Sequence, residues 1–116
     1  MNVVIAAGGT GGHLYPAIAV AREFLKRDPS TRILFVGTTR GIERKVLAHE
    51  GFPLQCIDAN PLMGKSLLEI LKALITLPKS LWQSLGILKK QSADLVFGVG
   101  GYTSPAMLLA AFLRRI

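Results

Sequence analysis

Three short apolar stretches of this sequence run straight into glycine, and segments with helical spacing separate them. Val3-Val4-Ile5-Ala6-Ala7 stops at Gly8, Ile33-Leu34-Phe35-Val36 at Gly37, and Leu95-Val96-Phe97 at Gly98. Runs this short, apolar throughout and rich in β-branched residues, belong to strands covered on both faces. Residues 53–58, Pro-Leu-Gln-Cys-Ile-Asp, supply a further strand. Ala17, Val20, Ala21, Phe24 and Leu25 repeat at helical spacing behind Pro16, which suits a first helical position, and Asp28-Pro29-Ser30 stops that helix. A short helix is expected over residues 42–50, with Gly51 as the residue just beyond its end. Residues 66–91 read as helix, broken or kinked at Pro78, whose ring nitrogen has no hydrogen to donate. Ser104 and Pro105 read as N-cap and first residue of a last helix reaching about residue 114.

Strands alternating with helices specify an α/β fold: a doubly wound, Rossmann-like parallel sheet with right-handed crossovers and helices on both faces. The alternation calls for another strand after Ile116, so residues 1–116 read as one truncated domain. There is no internal repeat, low-complexity tract or linker.

Composition narrows the setting. Half of the 116 residues are apolar and 18% are charged, which is the balance of a folded globular chain. The single cysteine, Cys56, excludes an internal disulfide and fits a reducing compartment. In its apolar stretch it reads as a buried strand residue, and nothing nearby would lower its pKa for catalysis. The first residues lack a basic leader, and no stretch is long and apolar enough to span a bilayer. The net charge is +7, unevenly spread: residues 65–90 hold five lysines against one acid, Glu69, a local excess of four. That excess favours an anionic partner, and its bland alternative is a solubilising face.

Gly8-Gly9-Thr10-Gly11-Gly12-His13 joins the first strand to the first helix, where open parallel sheets bind ligands. Glycine amides there can approach a diphosphate at the helix N-terminus. The spacing departs from the dinucleotide fingerprint, since the third glycine would fall at Leu14 and no acid closes the second strand. It is not an ATP-binding loop either, because no Gly-Lys-Ser/Thr follows. His13, with a pKa near neutrality at this edge, suits proton abstraction from an attacking hydroxyl; the alternative is a histidine that only braces the loop. His49 lies in a charged, exposed helix and reads as inert. A second turn, Gly98-Val99-Gly100-Gly101-Tyr102-Thr103-Ser104-Pro105, follows the last strand, and two such turns on one crevice favour an anion site. Ser104 alone reads as a helix cap rather than a ligand.

Lys65, Lys72 and Lys79 are seven residues apart and share one helical face, drifting about 20° per heptad. The leucines and isoleucines among them, with Trp82, are too many for one buried stripe, so part of that surface is expected outside. An apolar, Trp-bearing surface edged by lysines suits an anionic membrane. A partly buried helix with snorkelling lysines is the other reading. A nucleic-acid role is disfavoured, because aliphatic residues rather than a stacking platform lie between the lysines.

The glycine turn with His13 and Pro16, the later Gly-Gly-Tyr-Thr-Ser turn and the basic-apolar segment between them together resemble the MurG family of GT-B glycosyltransferases, along the whole chain. The resemblance implies the N-terminal, acceptor- and membrane-binding half of an inverting enzyme of peptidoglycan synthesis. Such an enzyme moves N-acetylglucosamine from UDP-GlcNAc to the muramoyl C4 hydroxyl of lipid I, giving lipid II. It implies His13 as general base, Thr10, Gly11 and Gly12 at the donor, and Gly9, Gly11, Gly12, Gly100, Gly101, Tyr102, Thr103 and Ser104 around the acceptor diphosphate. Lys65, Lys72, Leu74, Ile75, Lys79 and Trp82 would meet the membrane, and the protein would sit peripherally on the cytoplasmic face of the bacterial inner membrane. No metal or cofactor is implied; helix N-termini and backbone amides would serve instead. Two departures stand out: Ser104 is followed directly by Pro105-Ala106 rather than Gly-Pro, and Met63-Gly64-Lys65 lacks the family's frequent arginine. The C-terminal donor domain would lie beyond Ile116, and the chain alone is expected to be inactive. The alternative is a separate acceptor-binding, membrane-recruiting subunit of a two-chain N-acetylglucosaminyltransferase.

Overall fold

The computed structural model describes residues 1–7, 11–38, 43–57, 67–100 and 103–116, apart from the side chains at 11–13, 69–70 and 72–74. In chain order the elements are β1 (Asn2–Ala6), α1 (Gly11–Arg27), β2 (Arg32–Gly37), α2 (Glu43–Glu50), β3 (Leu54–Cys56), α3 (Leu67–Gln91), β4 (Leu95–Gly98) and α4 (Ser104–Leu113). The strands form one parallel sheet in the order β3-β2-β1-β4. Successive side chains of a strand point to opposite faces, and the two cores follow that period. Val3, Ile5, Ala7, Ile33 and Phe35 pack under Leu14, Ala17, Ile18 and Ala21 of α1 and Leu47 of α2. Val4, Ala6, Leu34 and Val36 pack on the other face under Ile87 and Leu88 of α3 and Ala106, Met107, Ala110 and Ala111 of α4. Helices therefore close both faces, as the uninterrupted apolar runs required.

Several local expectations are corrected. Pro16 is not the first residue of α1: the helix begins at Gly11 and Pro16 lies inside it. Its ring faces outward, and the carbonyl it leaves unbonded, four residues back, is that of Gly12. Nor does Pro78 break α3, which runs as one helix of 25 residues. Pro78 sits on the exposed side, where water can take the bond it forgoes, while Ser80, Ser84, Ile87 and Leu88 are buried on the side that faces the core and Leu77, Leu81 and Leu85 flank it. The third strand is only Leu54–Cys56, and Cys56 is half-buried rather than buried. Residues 42 and 58, expected at the ends of elements, lie outside the described residues. Gly51 does follow α2 with φ +82°, and Phe52 N–H returns to Leu47 O at 2.9 Å.

Polar ties fix the turns. Ser30 donates to Asp28 Oδ1 from its hydroxyl (2.7 Å) and its amide (3.0 Å), which stops α1 and holds the Asp28 carboxyl below its usual range. Arg22 ion-pairs with Glu50 and stacks 5.4 Å over the Phe52 ring, which in turn packs on Phe35. At the amino edge, the Asn2 amide donates to Gln91 O (2.9 Å) and Ser92 O (3.2 Å), and its backbone N–H to Asp94 Oδ2 (2.7 Å). Asp94 N–H answers to Asn2 O at 2.8 Å. These bonds pin the end of α3 to the start of β1. Asn2→Ala is expected to destabilise the fold by about 1–2 kcal/mol, read as a lower urea midpoint with an unchanged slope.

Candidate active-site crevice

The order of the strands decides where a ligand can enter. From β1 the chain steps outward through β2 to β3, then returns to lay β4 on the free side of β1. α1 leaves β1 toward one face and α4 leaves β4 toward the other, as their membership of opposite cores shows. The connections after two adjacent strands therefore diverge, and such a switch point leaves a crevice beyond the carboxyl ends. Ala6 pairs with Gly98 across it, and Val99 N–H continues the ladder to Ala6 O at 3.1 Å. β1 and β4, the strands that precede the two glycine turns, both end here.

The second turn is held by side chains aimed back into the sheet. Gly100 adopts φ +99°, which a side chain would strain. Ser104 Oγ accepts Gly100 N–H at 3.1 Å and lies 2.7 Å from Gly100 O and 3.2 Å from Ala6 O, between which its single proton is shared. Thr103 Oγ1 donates to Val36 O at 3.3 Å. Ser104 is thus not the N-cap but the first residue of α4; Thr103 stands at the N-cap position. Its hydroxyl, spent on Val36, makes no capping bond to the helix. The hydroxyls of Thr103 and Ser104 are structural clasps. What the turn offers a ligand is its backbone and the positive end of α4, whose first turn has no acidic residue. The first turn of α1 has no acidic residue either.

Gly11 and Gly12 open α1, and His13 follows as its third residue, its imidazole outside the described side chains. Gly9, Thr10, Gly101 and Tyr102 lie outside the described residues, as does Lys65.

The helix α3 has two unlike sides. Leu67, Leu68, Leu71, Ile75, Pro78, Lys79 and Trp82 share its outer side, Ile75 at 76% and Trp82 at 79% exposure. The apolar surplus of this segment is therefore at the surface; the side chains of Lys72 and Leu74 are outside the described set. Twenty-five helical residues span about 37 Å, whereas a strand of four to six residues spans roughly 13–20 Å. Asn2 anchors the far end of α3 at the amino edge, so its first half projects past the carboxyl edge, beside the crevice. Among the described residues no helix is long and apolar enough to cross a membrane, and no cluster of three metal-ligating side chains occurs.

Residues 3–116 match the glycosyltransferase family 28 N-terminal domain. The chain belongs to that family. It is 48% identical over 116 residues to the UDP-N-acetylglucosamine–N-acetylmuramyl-(pentapeptide) pyrophosphoryl-undecaprenol N-acetylglucosamine transferase of Syntrophotalea carbinolica, covering 100% of this chain and 32% of that protein. The protein of the same name from Bdellovibrio bacteriovorus is 50% identical over 110 residues, covering 95% of this chain and 31% of its own length. The crystal structure of Acinetobacter baumannii MurG superposes with a TM-score of 0.77 at 29% identity, over 97% of this chain and 31% of that one. The chain thus spans about a third of the length of the curated relatives it matches.

Two buried polar side chains of this family 28 domain give no signal in the sequence. Glu43 reads as the start of a solvated Glu-Arg-Lys helix, yet it is 1% exposed. Its Oε1 lies 3.3 Å from where a Cβ on Gly37 would stand, so the glycine closing β2 makes room for a carboxylate. Thr38, beside it, is buried with no hydrogen-bond partner for Oγ1 among the described residues. Glycine at the end of a strand was the one available hint. Gly98 has a matching constraint: its Cβ would meet Leu108 Cδ1 at 3.0 Å and Ser104 Oγ at 3.3 Å. Ser104→Ala is expected to cost about 1–3 kcal/mol in chemical denaturation, because it removes the hydroxyl that bonds Gly100 N–H, Gly100 O and Ala6 O. Gly98→Ala is expected to destabilise by a similar amount, about 1–3 kcal/mol, by levering α4 off the sheet.

Proposed function

We propose that this chain forms the acceptor- and membrane-binding part of an inverting glycosyltransferase that moves N-acetylglucosamine from UDP-GlcNAc to lipid I, producing lipid II. One observation carries the reading: two helix N-termini free of acidic residues diverge from adjacent strands over one crevice. Partial positive charge from both helices, with glycine backbones that allow close approach, is suited to the diphosphate of a lipid-linked acceptor. Gly9, Gly11, Gly12, Gly100, Gly101 and Tyr102 would surround it, with Thr103 and Ser104 contributing backbone while their hydroxyls hold the turn. The relatives' name, an N-acetylglucosamine transferase with a pyrophosphoryl-undecaprenol acceptor, agrees with that chemistry.

In this reading the C4 hydroxyl of the muramoyl sugar attacks C1 of N-acetylglucosamine opposite the departing UDP, and inversion follows from that direct displacement. His13, in the first turn of α1, takes the hydroxyl proton as the new C–O bond forms. Thr10, Gly11 and Gly12 face the donor, whose remaining contacts belong to the further length that the relatives possess. Lys65, Lys72, Leu74, Ile75, Lys79 and Trp82 rest on the anionic cytoplasmic leaflet. The projecting half of α3 sets the crevice at the height of a lipid headgroup.

In the longer protein that carries this chain, His13→Ala is expected to lower kcat by roughly 10²–10⁴-fold while the KM for UDP-GlcNAc stays within a few-fold; undiminished turnover would remove the imidazole from the chemistry. The 116-residue chain alone is expected to bind vesicles containing anionic lipid and to show no transfer. Ile75→Glu or Trp82→Glu is expected to weaken sedimentation with those vesicles by roughly tenfold, the worth of one buried apolar side chain. Equal binding by wild type and both variants would discard the membrane role.

A further inference from the structure

We propose that Glu43 is a positioning residue for the transfer reaction: its buried carboxylate holds the first glycine turn and, through that turn, His13. This role rests on the transferase reading above and adds a residue to it. Carboxylates are almost never enclosed unless they are paired or hydrogen-bonded. Glu43 is 1% exposed, whereas the next two residues, Arg44 and Lys45, are exposed. The fold keeps a space for it, since a Cβ on Gly37 would stand 3.3 Å from its Oε1 and 3.4 Å from its Cγ.

Strand register fixes where that carboxylate lies. Along β2, Ile33 and Phe35 face α1 and α2 while Leu34 and Val36 face α3 and α4, so position 37 faces α1 and α2. Ala6 pairs with Val36, and Ala7 N–H bonds Val36 O at 3.0 Å, which makes Ala7 the neighbour of Gly37 in the next strand. Ala7 packs into the same face, and α1 begins on that face at Gly11. Only Gly8, Gly9 and Thr10 lie between them in the chain. The helices give the same address. Arg22 of α1 meets Glu50 of α2, and both helices run from the carboxyl edge to the amino edge. Seven residues earlier in each, Glu43 stands level with Tyr15, about one turn into α1.

The chemistry at that address suits a carboxylate. The first amides of a helix have no partner within it, and a glycine turn leading into the helix adds further exposed amides. A bond from such an amide to a carboxylate is charge-assisted and about twice as strong as a neutral one. The positive end of α2, in whose first turn Glu43 lies, offsets its charge, so it does not cancel the field of α1. The turn is then fixed from the sheet side, and its crevice side is left for a ligand.

The test is a double-mutant cycle in the longer protein that carries this chain, read as transfer from UDP-GlcNAc to a lipid-linked acceptor. Glu43→Gln keeps the shape but puts a donor where an acceptor oxygen stood, and should lower kcat at least about tenfold. Gly37→Ala, which pushes the carboxylate by a few tenths of an ångström, should lower kcat in the same direction by less. In a His13→Ala background, Glu43→Gln should cost less than about threefold more, because both changes act on one step. A side chain needed only for folding would instead multiply its own loss onto that of His13→Ala. Thermal melts verify that each variant is folded at the assay temperature, and if Glu43→Gln is not, Gly37→Ala carries the same cycle. Undiminished kcat, or losses that multiply in the double variant, overturns the role of Glu43 and leaves the proposed function standing. Absence of transfer by the unsubstituted longer protein overturns both.

Discussion

Residues 3–7 hydrogen-bond to β2 on one side and, over their length in β1, to β4 on the other, while helices shut off both faces. No side chain in that stretch has solvent to turn to, so the sequence there must be small or branched and apolar. The same enclosure makes β1 the line from which the rest of the fold is laid out. β1 sends α1 to one face and its neighbour β4 sends α4 to the other, and that divergence opens the crevice. Ser104 and Thr103 then tie the start of α4 to Ala6 O, at the end of β1, and Val36 O, one residue before the end of β2. The mouth of the crevice is therefore fixed to the most buried part of the sheet.

Enclosure also explains what the sequence made legible. Strands buried on both faces leave unbroken apolar runs, so the β1 and β2 regions and the parallel arrangement were readable from residue order, and β4, though only half-buried, carries the same kind of run. Helix termini near proline were not. Pro16 and Pro78 read as a start and a break, yet both sit on exposed sides of continuous helices, where a single lost backbone bond is tolerated while the opposite side packs. Packing across the molecule outweighed a local rule.

The candidate site was legible in its glycines and less so in its hydroxyls. Gly100 adopts a positive φ, and β1 and β4, the strands that precede the two glycine turns, flank the switch point. Thr103 and Ser104 looked like ligands for an anion because the sequence does not say which way a hydroxyl points; in the fold they bond backbone carbonyls. Glu43 was hidden for a related reason. A charged residue among charged neighbours reads as solvated, and only the space left by Gly37 shows otherwise. The α3 surface was anticipated by counting, since more leucine and isoleucine was present than one buried stripe can use, though the projection past the sheet came only from comparing lengths.

The knot of bonds around Asn2 reaches beyond stability. It fixes the first residues at the amino edge, and Met1 is itself joined to β2 through Arg32 N–H at 2.9 Å. A polypeptide attached ahead of Met1 would emerge at the pole opposite the crevice. Tethered to a sensor surface by that end, the molecule would present its glycine turns and the projecting half of α3 to the solution, in one common orientation.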